Sequence, residues 1–109
     1  MTLYILKLTV AANSTDKKEV RSISGTVDKV GILWPKNVGG LLFAKFTVGN
    51  IEIPKMLEGL EKEMTMDDIY IEIPIPAYTL EAGEVVGIYG RNIDTSYEHS
   101  VYLYVYTRE

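Results

Sequence analysis

Cysteine is absent from this 109-residue chain. Its absence removes disulfides, thiolate nucleophiles and every cysteine-ligated zinc or iron–sulfur centre. Glutamine is missing too, and histidine and tryptophan occur once each. Long basic runs are also lacking: the longest is Lys17-Lys18, in a chain of net charge −4. Such a chain is not expected to bind a phosphate backbone, which excludes nucleic acid as a partner. No apolar run approaches the roughly 20 residues that cross a bilayer. The opening Met1-Thr2-Leu3-Tyr4-Ile5-Leu6-Lys7 has no basic region leading into a long apolar stretch. Neither a membrane segment nor a signal peptide is expected.

What is present is the material of a β-protein. Apolar residues make up 47% and charged residues 24% of the chain, the balance of an ordinary globular domain. At this length the expectation is one domain spanning residues 1–109. Residues 101–107 read Val-Tyr-Leu-Tyr-Val-Tyr-Thr. This alternation sends Val101, Leu103 and Val105 to one side of a strand and Tyr102, Tyr104 and Tyr106 to the other. A half-exposed strand normally sets polar residues against its apolar ones, so three tyrosines on the second side predict that this side also meets something.

The rest of the chain is punctuated in the same way. Tyr4, Leu6, Leu8 and Val10 share one side of a first strand, which ends at the turn-rich Asn13-Ser14-Thr15-Asp16. A polar, weakly patterned segment over 19–24 leads to a strand over 27–34, closed by Pro35. Leu42, Ala44, Phe46 and Val48 alternate up to a Gly49-Asn50 hairpin turn into Ile51-Glu52-Ile53-Pro54. Residues 55–68 depart from this pattern. Met56, Leu57, Leu60 and Met64 recur at helix-like intervals, and Gly59 weakens any helix, so the segment reads as one long loop or short helix. From Ile69 the alternation resumes, with Ile69, Ile71, Ile73 and Ile75 inward. Pro74 and Pro76 assign that strand to a sheet edge or a crossing between sheets. Strands over 84–91 and 100–107 complete the set. About eight short strands with frequent turns predict an all-β, antiparallel β-sandwich of Greek-key or jelly-roll topology.

Ala11-Ala12-Asn13-Ser14-Thr15, Gly31-Ile32-Leu33-Trp34-Pro35, Gly39-Gly40-Leu41, Ile53-Pro54 and the stretch Asn92 to His99 occur in this order. In that order the chain resembles small β-sandwich proteins encoded by tailed viruses and integrated mobile elements. The resemblance rests on turn and strand-end residues, which specify fold and carry no chemistry. It implies a virion-associated or assembly role, with no catalytic residues to transfer. Location is then expected in the virion or the cytoplasm.

The chemical candidates are few. His99, beside Glu98 and five residues after Asp94, suggests a general base or a metal ligand, but a metal centre needs three or four converging ligands. A structural role in the turn is the expected one, with no metal and no cofactor. Asp67, Asp68, Glu61 and Glu63 lack the spaced Asp/Asn-Gly pattern of a calcium loop. No nucleophile elbow or phosphate-cradling loop occurs, so no enzyme is expected. The first functional reading is a structural protein that associates with itself or with other structural proteins. Tyr102, Tyr104 and Tyr106 are its interface candidates, together with Met56 and Met64. The second is a carbohydrate-binding module stacking sugar on Trp34, Tyr89 and Tyr97.

Lacking cysteine and glutamine and dense in β-branched and aromatic residues, the chain has a thermophilic composition. Its thermal midpoint is expected above about 80 °C by calorimetry, beyond the range of ordinary mesophilic domains. A midpoint within that range would remove the compositional argument.

Overall fold

A computed structural model describes residues 2–54 and 63–108. Its strands are β1 (Thr2–Val10), β2 (Ser14–Val20), β3 (Gly25–Trp34), β4 (Leu42–Val48), β5 (Ile51–Ile53), β6 (Ile69–Leu80), β7 (Val86–Asn92) and β8 (His99–Arg108). Two four-stranded sheets result, ordered β1-β8-β3-β6 and β2-β7-β4-β5, with every neighbouring pair antiparallel. Each connection except the β4–β5 hairpin passes from one sheet to the other. This strand order is the jelly roll, two interlocked Greek keys.

Period-two alternation decides which side chains lie between the sheets. From β8, Val101, Leu103 and Val105 are wholly buried; from β4, so are Leu42, Ala44, Phe46 and Val48. Val30, Ile32 and Trp34 of β3 join them, and the Trp34 ring meets Phe46 edge-on, with centroids 6.5 Å apart. Each large side chain so buried contributes about 1.5–3 kcal/mol, which offsets the ordering of the backbone that carries it. Pro35 follows the last residue of β3, and β6, with Pro74 and Pro76 inside it, occupies a sheet edge. A proline cannot donate to a neighbouring strand, so an edge is where it is tolerated. Gly49 takes φ 59° as the first central residue of the β4–β5 turn, a conformation open to glycine and required by a type II′ hairpin.

Two stretches differ from the sequence expectation. Ser14–Val20 is a strand, where the sequence reads as a turn followed by a polar segment. It has no apolar residue before Val20 because it forms one edge of its sheet and is exposed along nearly its whole length. Backbone pairing with β7 from Ser14↔Asn92 to Val20↔Val86 holds it in place. Within the long 55–68 segment, residues 55–62, and with them Met56 and Glu61, lie outside the described residues. The remainder is not helical: Met64 exchanges two backbone hydrogen bonds of 2.8 Å with Ala44, continuing the line of the short β5 along β4.

The two sheets pack tightly where Gly90 of β7 faces β1. A Cβ at Gly90 would lie 2.9 Å from Val10 Cγ2 and 3.0 Å from Leu8 Cδ2, both inside the core. Gly90→Ala is therefore expected to destabilise the fold by about 1–3 kcal/mol, the usual cost of overfilling a packed interior. Urea unfolding would register this as a lower midpoint with an unchanged strand spectrum.

Candidate functional site

The strand registers place the tyrosines on the outer side of the first sheet. Across β1, β8, β3 and β6, one row reads Leu3, Tyr106, Lys29 and Pro74. The next reads Ile5, Tyr104, Gly31 and Glu72, and the third Lys7, Tyr102, Leu33 and Tyr70. Tyr102, Tyr104 and Tyr106 thus form a column down the middle of the sheet, half-buried by one another and by their flanking rows. Leu3 and Ile5 beside them are 45% and 55% exposed. Among the described residues, large apolar side chains exposed to this degree are few, and three of them, Leu3, Ile5 and Tyr70, stand on this one face.

Tyr70 binds the column together. Its ring meets Tyr104 edge-on at 5.4 Å, and its hydroxyl bonds both the Tyr106 hydroxyl and Glu72 Oε2. The ring lies over Gly31, where a Cβ would overlap it, so any side chain at this position would push the Tyr70 ring aside. Burial, then the hydrogen bonds to Tyr106 and Glu72, push the Tyr70 phenol well above its ordinary pKa, and it stays a neutral donor. Lys29 Nζ sits 4.8 Å from the Tyr106 ring centroid and 3.6 Å from Glu72 Oε1, while Lys7 Nζ lies 5.6 Å from the Tyr102 centroid. The hydroxyls of Tyr70 and Tyr106 are thus satisfied within the protomer, and the face presents ring and aliphatic surface together with the charges of Lys7, Lys29 and Glu72.

The other outer face is dressed differently. Its rows read Thr15, Arg91, Phe43, then Lys17, Tyr89, Lys45, then Glu19, Gly87, Thr47, Glu52. Lys45 covers the Tyr89 ring at 4.9 Å, and Arg91 covers Phe43 at 4.7 Å while bonding Glu63 at 3.0 Å. Every row carries charge, as the rows of the tyrosine face do through Lys29, Glu72 and Lys7, but among the described residues no large apolar side chain of this second face is exposed as Leu3, Ile5 and Tyr70 are. Met64 packs against the core beside this second sheet, away from the tyrosine column, so it contributes no surface to the tyrosine face.

The three residues of the carbohydrate reading do not converge. Trp34 has no exposed surface and is corrected from ligand platform to core residue, because its inward register places it against Phe46. Tyr89 lies under Lys45 in the middle of the second sheet, and Tyr97, 70% exposed, stands in the β7–β8 loop. Tyr70, Gly31, Leu3 and Ile5 complete the tyrosine face and were not among the residues marked by the sequence. Their outward positions follow from alternation, but their grouping follows from register between strands distant in the chain.

His99 opens β8 and is 8% exposed. Its Nε2 pairs with Asp94 Oδ2 at 2.8 Å, while Asp94 Oδ1 accepts from the backbone N–H groups of Ser96 and Tyr97. The buried Asn92 amide donates to the carbonyls of Val10, Ala11 and Tyr97, and its oxygen accepts from the Asp94 N–H. An open cleft of about 570 Å³ lined by Lys36, Asn37, Tyr97, Glu98 and His99 adjoins this polar knot. Among the described residues no three His, Cys, Asp or Glu side chains converge as metal ligands.

The Asp94 carboxyl is held below its ordinary pKa of 3.8, chiefly by the Ser96 N–H and then by His99, against a smaller opposing effect of burial. A depressed carboxylate contributes stability above its unfolded-state pKa, and that contribution is lost as pH falls through the lower folded-state value. The stability difference between wild type and Asp94→Asn is therefore expected to be full at neutral pH and to shrink below about pH 3.8. Urea midpoints taken from pH 7 to pH 2 would show it, and a chelator should move neither protein. Comparison with known protein families, with curated proteins and with solved structures finds no match to this chain.

Proposed function

We propose that this protein is a non-enzymatic assembly module, a self-associating jelly-roll sandwich of the virion-associated kind that its resemblance to virus-encoded and mobile-element proteins implies. The supporting observation is a contrast between its two outer faces. Among the described residues, the outer face of the second sheet exposes no large apolar side chain. The outer face of the first sets a tyrosine column between Leu33 and the exposed Leu3, Ile5 and Tyr70, with the Tyr70 and Tyr106 hydroxyls bonded inside the protomer. Interface cores are rich in tyrosine and apolar residues in this way. A second copy, or another structural protein with a comparable face, is the partner this chemistry suits. The jelly roll leaves such a face free because its own core lies wholly between the sheets.

Tyr104 stands at the centre of the column, between Ile5 and Gly31. Tyr104→Ser is expected to lower the assembly mass seen by light scattering after size exclusion, while the strand-rich circular dichroism spectrum persists. Loss of the edge-on contact with Tyr70 should cost the isolated fold about 1 kcal/mol. An unchanged mass accompanied by severe loss of folding would assign the residue to the protomer's own stability and refute the interface.

A further inference from the structure

Each sheet of a sandwich has two edges whose outermost strands carry unpaired N–H and C=O groups, and stable monomers blunt them with prolines, charges or short length. Three of the four edges here are blunted. β6 contains Pro74 and Pro76. β2 carries Asp16, Lys17, Lys18 and Glu19 in succession. β5 is three residues long, is followed by Pro54, and gives way along β4 to Met64. β1 has no such guard. Its nine residues, Thr-Leu-Tyr-Ile-Leu-Lys-Leu-Thr-Val, contain no proline and a single charge, and they pair with β8 in unbroken register from Thr2↔Thr107 to Val10↔His99.

The surroundings of that edge are also apolar. On its outer side stand the exposed Leu3 and Ile5. On its inner side, between β1 and β2, an open groove of about 390 Å³ is lined by Tyr4, Leu6, Lys18, Val20 and Ile23, among others. A strand added beside β1 would take up the free backbone groups, cover Leu3 and Ile5 with its outward side chains, and close the groove over Tyr4 and Val20 with its inward ones.

We infer that the unguarded edge of β1 pairs antiparallel with β1 of a second copy, about a two-fold axis at Ile5, joining the two first sheets into one of eight strands. In that register Lys7 lies opposite Leu3 of the partner subunit and like charges stay apart, whereas a parallel pairing would stack Lys7 on Lys7. Antiparallel pairing about Ile5 also sets Tyr4 opposite Leu6 across the mouth of the groove. The contact is made by backbone groups in the plane of the sheet and does not depend on the tyrosine face, which points out of that plane. Two different two-fold contacts on one protomer would link copies beyond the dimer, into a closed tetramer where the axes cross at right angles and into a longer series where they do not.

The cysteine-free sequence makes the test clean. Cα atoms of directly opposed residues in an antiparallel pair lie about 4.5–5.5 Å apart, within disulfide reach. Full-length protein carrying Ile5→Cys should therefore cross-link into a covalent dimer under mild oxidation, whereas Leu3→Cys should not, because its symmetry mate would lie four residues along. The Ile5→Cys cross-link should persist in a Tyr104→Ser background, and Ile5→Lys should abolish the edge dimer with the strand-rich spectrum unchanged, since that side chain is half exposed. Absence of the cross-link, equal cross-linking at Leu3→Cys, or its disappearance with Tyr104→Ser would overturn the pairing. The mass of Tyr104→Ser alone reads the face contact separately, so either interface can fail while the other stands.

Discussion

The outer face of the first sheet exists because β8 keeps one register with β1 along its length and with β3 from Lys29 to Leu33. With the observed pairing, Val101, Leu103 and Val105 enter the core and the three tyrosines leave it; a slip of one residue would exchange the two sets. The register is secured at the strand's first residue. His99 lies opposite Val10 and is tied to Asp94, and the Asn92 amide grips the backbone on either side of the same corner. Asn92 and His99 are themselves buried, and removing their partners would leave polar groups unsatisfied in the interior. His99, the histidine that suggests catalysis in the sequence, is thus tied through Asp94 to the turn that leads into the strand it begins.

From that register follows the asymmetry between the faces. Both outer surfaces carry aromatic rings covered by cations, Lys45 on Tyr89 and Arg91 on Phe43 on the second sheet, Lys7 on Tyr102 and Lys29 on Tyr106 on the first. On the first sheet the rings also meet one another, through the Tyr70–Tyr104 contact and the hydroxyl pair of Tyr70 and Tyr106. Gly31 makes this possible by leaving room under the Tyr70 ring. Aromatic rings packed on their own kind, with aliphatic neighbours in adjoining rows, form a stiff, shallow surface that loses little conformational freedom when covered.

The edges complete the same division of labour. Three are protected by proline, charge or shortness, and the fourth, β1, runs beside the tyrosine column with Leu3 and Ile5 facing outward. The second sheet and the guarded edges face water, and the features suited to contact gather around β1 and β8. The first and last strands of the chain are neighbours along their whole length, so the two ends of the sequence together build this surface.

The all-β class, the inward sets of β1, β4 and β8, the inward Ile73 and Ile75 of β6, the Gly49-Asn50 turn and the edge position of the proline-bearing strand were all legible in the sequence, whereas Ile69, read as inward, is 44% exposed at the start of β6. Each follows from a local rule: alternation at period two, the glycine conformation of a tight hairpin, or the missing N–H of proline. β2 was not legible, because an edge strand exposed along its length needs no apolar residues and is specified by its neighbour's backbone. The sequence by itself determined that Tyr102, Tyr104 and Tyr106 share a side. Only the tertiary structure decided what shares it with them, because Leu3, Ile5, Gly31 and Tyr70 come together through hydrogen-bonded register between strands that are remote in the chain, and such pairing leaves no mark on local pattern.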